Sequence, residues 1–188
     1  MMYFSEKKDV VTIGALDFVI YLSAREIQNR IREVAKEIEQ DYANKNPLFL
    51  IVLNGAFMFA ADLIRNLDIA CDVDFVKVSS YKGLASTGRL EVKIANEKEL
   101  QNRHVIILED IVDSGFTLDQ YLPLVENQNP ASLKVCTLLE KPEAKNFNVE
   151  VDYTCFKIPT KFVIGYGLDF DEAGRNLPHI YQLIDEYS

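Results

Sequence analysis

The chain has 188 residues, of which 48% are hydrophobic and 26% are charged, as is typical of one globular domain with a sizeable core. Its net charge of -9 argues against a nucleic-acid-binding surface, because such surfaces need an excess of Lys and Arg. Cys71, Cys136 and Cys155 stand apart in apolar segments, which indicates reduced thiols in a cytoplasmic protein and neither a disulfide framework nor a zinc site. We therefore expect a single domain spanning residues 1–188.

The first apolar segment, Val10 to Leu22, follows Lys7 and Lys8 and faintly mimics a signal peptide. Asp9 and Asp17 interrupt the segment, no small-residue cleavage site follows it, and it is too short to span a bilayer. We interpret it as an early strand or extended arm, and we expect no association with membranes.

A helix and a buried strand follow. Ser23 and Glu26 have the spacing of a capping box, so a helix is predicted over residues 23–44. Its apolar stripe consists of Ile27, Ile31, Val34, Ile38 and Tyr42. The segment from Pro47 to Leu53 is continuously apolar, which is typical of a central strand covered on both faces.

The same alternation continues to the C-terminus. Further helices are predicted at residues 56–67 and 117–127, the second with Pro123 at the cost of an intrahelical hydrogen bond. Further strands are predicted at residues 73–79, 90–95, 102–108, 133–139, 152–158 and 162–166, with a loop at residues 81–89. The pattern indicates an α/β fold with a mostly parallel central sheet flanked by helices, whose ligands bind beyond the carboxyl ends of the strands.

The strongest functional pattern follows the strand that begins at His104. Its apolar residues lead to Glu109 and Asp110, then to Asp113, and then to a small-residue turn at residues 114–117 that opens the next helix. Backbone N–H groups of such a turn bind phosphate together with the helix N-terminus, and carboxylates suit ribose hydroxyls or hydrated Mg²⁺. The pattern predicts a site for a sugar phosphate with a divalent cation. The alternative is that the acidic pair only solvates the end of a core strand.

The ordered pattern Glu109-Asp-Ile-Val-Asp-Ser-Gly-Phe-Thr117 resembles the 5-phosphoribosyl-1-pyrophosphate motif of the type I phosphoribosyltransferases. The C-terminal third narrows the resemblance. This part of the chain is similar to the hypoxanthine-guanine phosphoribosyltransferases. The similarity lies in Lys141, in Arg175 and in the segment Ile-Pro-Thr-Lys-Phe-Val-Ile-Gly-Tyr-Gly-Leu-Asp-Phe at residues 158–170. Leu53 and Gly55 also match, as do residues 80–81 and 86–88, so the resemblance extends from about residue 50 to about residue 180.

This resemblance implies an enzyme of purine salvage that transfers a phosphoribosyl group from 5-phosphoribosyl-1-pyrophosphate to hypoxanthine or guanine. It further implies a small hood subdomain formed by the terminal segments, and a homo-oligomer, either a dimer or a tetramer. The implied cofactor is Mg²⁺, with Glu109, Asp110 and Asp169 as metal ligands. The implied partners are otherwise small molecules, a 6-oxopurine and the phosphoribosyl donor.

The resemblance also assigns the donor side of the site. Glu109 and Asp110 would hold the ribose hydroxyls, and Asp113 would be the catalytic base beside purine N7. The 5′-phosphate would be bound, mostly through backbone N–H groups, by Ser114, Gly115, Phe116, Thr117 and Leu118. Pyrophosphate would face Leu53, Asn54, Gly55, Ser80, Tyr81, Lys161 and Arg175. The loop at residues 80–89 would close over the site to shield it from water.

The residues assigned to the purine are Lys141, Phe162, Val163 and Asp169. Lys141 can donate a charge-assisted hydrogen bond to a 6-oxo group, and it would reject adenine, whose 6-amino group is itself a donor. Phe162 offers an apolar face on which the purine can stack. Singly, such residues are more often surface lysines or core aromatics, so the assignment depends on their joint order behind the phosphate loop.

One departure and two alternatives remain. Asn54 stands where many relatives carry Lys, so its side chain supplies no charge to pyrophosphate, and only backbone N–H groups could bind there. Members of the family often have a non-proline cis bond at this position. The accepted base could be xanthine or another 6-oxopurine. The chain could also be a regulator that binds phosphoribosyl ligands without turnover, although such regulators need a nucleic-acid surface, which the net charge disfavours.

Overall fold

The computed structural model describes residues 2–4, 9–80, 90–94 and 99–184. In chain order the elements are β1 (Met2–Phe4), β2 (Val10–Ile13), β3 (Leu16–Leu22), α1 (Ala24–Tyr42), β4 (Leu48–Leu53), α2 (Phe57–Arg65), β5 (Asp72–Ser80), β6 (Leu90–Ile94), β7 (His104–Val112), α3 (Phe116–Glu126), β8 (Ser132–Glu140), β9 (Tyr153–Lys157), β10 (Val163–Ile164) and β11 (Ile180–Leu183). The strands form two sheets, one of them the central sheet that the sequence predicts.

The central sheet has the strand order β6-β5-β4-β7-β8-β9. All neighbouring strands run parallel except β5 and β6, which pair antiparallel at one edge. Alternate residues of β4 pack on opposite faces: Phe49 and Ile51 contact the cluster of α1 and α2, while Leu48, Leu50 and Val52 contact that of α3. The continuous apolar run of β4 therefore reflects burial on both faces, and the prediction of an α/β fold is confirmed.

The second sheet, which we call the hood sheet, joins both ends of the described chain in the antiparallel order β1-β2-β3-β11-β10. The interpretation of residues 10–22 as one strand or arm was wrong, because Gly14, with φ 63°, turns the chain into a β2–β3 hairpin. The strand predicted at residues 162–166 was also wrong in extent. Only Val163–Ile164 is a strand, and it pairs with β11 because the chain turns at Gly165.

Helix α1 begins where the capping box predicts. The Ser23 hydroxyl accepts a hydrogen bond from the backbone N–H of Glu26 at 3.3 Å, and the Glu26 carboxylate accepts one from the backbone N–H of Ser23 at 2.9 Å. All five residues of the predicted apolar stripe are buried. Helix α3 remains continuous through Pro123. Among the described residues, no helix is long and apolar enough to cross a bilayer.

One boundary bears on the site. Strand β7 was predicted to end at Leu108, but it continues to Val112, with Ile111 and Val112 paired to Leu139 and Glu140 of β8. Glu109 and Asp110 therefore lie within a strand and not at its tip. This placement buries the Glu109 side chain, whereas a residue after the strand would face solvent.

Candidate active site

The connection between β7 and α3 forms the predicted phosphate loop. Gly115, at φ 85°, precedes the first turn of α3 and lies against Phe147. The Ser114 hydroxyl accepts a hydrogen bond from the backbone N–H of Phe116 at 3.3 Å, and the Ser114 carbonyl accepts two more from residues 146 and 147. A cavity of ≈270 Å³ is lined by residues 109–118. The structure thus brings the assigned phosphate and ribose residues around one cavity at a helix N-terminus.

The two acids of β7 carry raised pKa values. Burial raises the pKa of Glu109, and the neighbouring Asp110 charge raises it further. Burial also raises the pKa of Asp110 to about 6, although a hydrogen bond from the Ile111 backbone N–H and the charge of Arg175 oppose the shift. Two adjacent carboxylates that resist ionisation would gain from hydroxyl donors or a cation in the cavity.

A hydrated Mg²⁺ ion fits this donor set. Among the described residues, no group of three metal-ligating side chains could hold an ion without a substrate. Mg²⁺ usually keeps several waters and takes one or two protein carboxylates together with substrate phosphates, so a complete protein cage is not required. The charge of Asp169 also raises the pKa of Asp110. A cation beside these carboxylates would favour the ionised form of Asp110 and so oppose that rise.

Lys141 and Asp113 form an ion pair at the rim of the same cavity. Val112 and Glu140 are paired residues of β7 and β8, so Asp113 and Lys141, which follow them, leave the sheet side by side. The Lys141 Nζ atom lies 2.7 Å from Asp113 Oδ2. The lysine side chain is 8% exposed and the aspartate side chain 53%, so the pair presents a buried cation beside an accessible carboxylate.

Asp169 and Arg175 form a second ion pair. Arg175 Nη2 lies 2.8 Å from Asp169 Oδ1, and Arg175 Nη1 donates to the Gly167 carbonyl at 2.9 Å. The backbone N–H of Glu172 donates to the other Asp169 oxygen at 2.9 Å. One oxygen of Asp169 therefore accepts a hydrogen bond and the other is paired with Arg175, so a metal ion would have to share Asp169 with Arg175 or displace it.

Backbone packing joins these groups to the segment after β4. The Leu53–Asn54 peptide bond is cis, Asn54 is exposed and Gly55 is buried. A Cβ atom on Gly55 would lie 1.6 Å from the Asp110 carboxylate, and one on Gly167 would lie 2.1 Å from the Gly55 carbonyl oxygen. Only glycine allows this approach. The structure therefore brings the assigned Gly55 against Asp110 of β7.

The remaining assigned residues lie at or beside the hood sheet, at the end of β5, or outside the described residues. Phe162 is 46% exposed and contacts the rings of Phe18 and Phe170. The neighbouring Lys161 donates to Gln182 at 2.7 Å, so its side chain is bonded within the hood sheet and not to the phosphate loop. Val163 is buried in β10. Tyr81 and the closing loop lie outside the described residues, and of Ser80 only its place in β5 is described.

Tyr166 and Gly167 were not assigned to the site from the sequence, yet Gly167 packs against Gly55 and Tyr166 precedes it in the same turn. Both have positive φ angles, 50° and 102°, and Gly167 contacts Gly55. The Gly-Tyr-Gly spacing was a usable signal, because glycine pairs often mark left-handed backbone and close approach. His179, which was considered for the pyrophosphate side but not assigned to the site, accepts a hydrogen bond from the backbone N–H of Ala24 at 2.8 Å.

Known proteins are similar to this chain in sequence and fold. The family model described as the phosphoribosyl transferase domain matches residues 20–171. The hypoxanthine-guanine phosphoribosyltransferase of Streptococcus pneumoniae is 40% identical over 89% of this chain and 93% of its own. The hypoxanthine-guanine-xanthine phosphoribosyltransferase of Tritrichomonas foetus is 42% identical over 88% and 90%. The Trypanosoma cruzi hypoxanthine phosphoribosyltransferase, in a ternary substrates complex, superposes with a TM-score of 0.82 at 42% identity, covering 89% and 95%.

Proposed function

Because the chain belongs to the phosphoribosyl transferase family, we propose that it transfers the phosphoribosyl group of 5-phosphoribosyl-1-pyrophosphate to hypoxanthine or guanine. The products are IMP or GMP and pyrophosphate. The observation that carries the choice of base is the Lys141–Asp113 pair, with its nitrogen and oxygen 2.7 Å apart at the rim of the phosphate-loop cavity.

The pair matches one edge of a 6-oxopurine. The 6-oxo group and N7 are adjacent on that edge, so a cation and a carboxylate that lie side by side can contact both at once. Lys141 donates to the oxo group, and Asp113 accepts the proton of N7. Adenine offers an amino donor in place of the oxo acceptor and so places a donor against the buried lysine donor, which is a strong basis for rejection.

The phosphoribosyl donor occupies the cavity of residues 109–118 in this proposal. The 5′-phosphate accepts hydrogen bonds from backbone N–H groups at the N-terminus of α3, and Glu109 and Asp110 accept the ribose hydroxyls. Pyrophosphate lies toward Gly55 and Arg175. Mg²⁺ would keep several waters, contact the substrate phosphates and take one or two of the carboxylates of Glu109, Asp110 and Asp169, and there it would neutralise pyrophosphate charge.

The chemical step forms the bond between purine N9 and ribose C1′ as the bond from C1′ to pyrophosphate breaks. Asp113 takes the N7 proton, which raises the electron density of the ring as N9 attacks. Lys141 stabilises charge that develops at the oxo group, and its burial strengthens that interaction. The protein thus orients the two substrates and holds one proton at a defined oxygen.

A panel of bases with the donor and Mg²⁺ tests the function. Hypoxanthine and guanine should give nucleotide, adenine and orotate should not, and a chelator should abolish turnover. Xanthine is included because the relative from T. foetus carries that base in its name. Efficient AMP formation, or full activity in the chelator, would contradict the proposal. Donor binding without any product would instead favour the regulator.

We further propose that the chain acts as one domain in the cytoplasm and assembles as a homo-oligomer, a dimer or a tetramer. The support is the family resemblance and the prevalence of symmetric assemblies among soluble proteins. A monomeric mass by light scattering at working concentration would refute the assembly.

A further inference from the structure

Three polar side chains meet behind the pyrophosphate side of the site. The Tyr166 hydroxyl donates to Asp62 Oδ2. Gln28 Nε2 donates to the same carboxylate oxygen at 2.5 Å and to the Tyr166 hydroxyl at 3.1 Å. We call these three residues the tyrosine cluster. It joins α1, α2 and the turn after β10, which are far apart in the sequence.

The turn that contains Tyr166 sets a backbone contact at the site. Gly165, Tyr166 and Gly167 have consecutive positive φ angles of 95°, 50° and 102°, which place Gly167 against the Gly55 carbonyl. The Gly167 carbonyl in turn accepts from Arg175. Asp62 lies on α2, the helix that follows Gly55. The bond between Tyr166 and Asp62 therefore links the two segments that meet at Gly55 and Gly167.

We propose that Tyr166 is a positioning residue for pyrophosphate, acting through the hydroxyl that fixes the Gly167 turn against the Gly55 segment. The inference deepens the proposed function and rests on it for the identity of the ligand. The ring of Tyr166 is buried and suffices for packing, so the hydroxyl has a separable role. Burial raises the pKa of Tyr166, and the Asp62 carboxylate raises it further, so the hydroxyl keeps the proton that it donates.

The chain contains a matched control. The Tyr153 hydroxyl donates to Asp41 Oδ2 at 2.5 Å, and Tyr153 is 7% exposed, as is Tyr166. Tyr153 is the first residue of β9, at the amino end of the parallel strands, whereas the site lies at their carboxyl ends. Tyr153→Phe therefore removes a bond to an aspartate from an equally buried tyrosine without touching the site, although Asp41 is exposed and Asp62 is partly buried.

The test compares Tyr166→Phe with Tyr153→Phe in the full chain. Tyr166→Phe should raise the KM for the phosphoribosyl donor about three- to tenfold and weaken pyrophosphate binding with Mg²⁺, measured by calorimetry, by a similar factor. The KM for hypoxanthine should change less than about twofold. Tyr153→Phe should lower the melting temperature about as much as Tyr166→Phe does, and it should leave the KM values for the donor and for hypoxanthine unchanged.

Two variants of Asp62 separate positioning from stability. Asp62→Asn keeps an oxygen acceptor and should retain pyrophosphate affinity within about twofold, whereas Asp62→Ala should match Tyr166→Phe. If neither Tyr166→Phe nor Asp62→Ala weakens pyrophosphate beyond Tyr153→Phe, the cluster serves stability alone and the inference is overturned. Absence of nucleotide from the wild-type chain would overturn the proposed function instead, because the pyrophosphate titration does not need turnover.

Discussion

Replacing Lys141 by methionine tests whether the buried cation recognises the base. Methionine keeps most of the side-chain volume and removes only the charged donor. A hydrogen bond from a charged group to an otherwise unpaired oxygen contributes about 1.5–3 kcal/mol, which corresponds to about 10- to 150-fold in kcat/KM. We expect a loss of that size for hypoxanthine and guanine, with the KM for the phosphoribosyl donor changed less than about twofold.

The same variant should fold nearly as well as the wild type. Its former partner, the Asp113 carboxylate, is 53% exposed, so water can solvate the charge that Lys141 leaves behind. The expected fall in the free energy of unfolding is below about 1 kcal/mol, measured by urea titration. The predicted signature is thus a large kinetic defect with little loss of stability.

Lys145 supplies the opposite control. Its ammonium lies 2.6 Å from Glu140, whose side chain is only 8% exposed. Lys145→Met therefore leaves a buried carboxylate short of its main partner, although Thr154 still donates to it at 2.9 Å. We expect a stability loss of about 2–3 kcal/mol and near-normal kinetics. Unchanged kcat/KM for both bases in Lys141→Met would show that the lysine only pairs with Asp113, and the assignment of the purine site would be wrong.

Three further predictions follow from named contacts. Asp113→Asn keeps shape and turn-forming capacity but cannot take a proton, so kcat should fall by about 10²–10⁴; near-wild-type kcat in a folded variant would leave only a structural role. Gly55→Ala places a methyl group 1.6 Å from a carboxylate oxygen and should weaken the phosphoribosyl donor at least about tenfold by calorimetry; unchanged affinity would place that ligand elsewhere. Burial raises the pKa of Glu140, but hydrogen bonds, chiefly from Lys145, outweigh it, so the folded pKa is below the unfolded one. The ionised Glu140 therefore contributes stability above the unfolded pKa, and that stability is lost as pH falls through the folded pKa. The melting temperature should accordingly fall less steeply below about pH 4.5 in Glu140→Gln than in the wild type. An equally steep fall in the two proteins would refute this prediction.

Local sequence signals predicted the elements whose stability is local or periodic. The capping box at Ser23 and the stripe from Ile27 to Tyr42 define α1 to within two residues of its observed end. The apolar run before Asn54 predicted β4, because burial on both faces leaves a continuous pattern. The acidic loop was recognised from order alone, since its residues are adjacent in the chain and need no tertiary contact to be identified.

The missed β2–β3 hairpin was a local error at Gly14, whereas the other errors arose where pairing partners are distant in the sequence. Strand β7 extends past its acidic pair because Ile111 and Val112 find partners in β8, which nothing near them in the chain reveals. The hood sheet joins β3 to β11, and no periodicity in either segment indicates the other. The bond from Tyr166 to Asp62 is invisible for the same reason, although the two glycines that flank Tyr166 marked an unusual turn.

The residues proposed to bind the substrates lie in two different parts of the fold. The phosphate loop and the Lys141–Asp113 pair are anchored to β7 and β8, two neighbouring interior strands of the central sheet. Phe162, by contrast, precedes a two-residue strand of the hood sheet and is 46% exposed. On the proposed assignment a purine must contact both sheets. Substitutions around Phe162, such as those at Phe18 or Phe170, can therefore change base preference while the donor site stays intact, whereas substitutions in β7 must affect donor and base together.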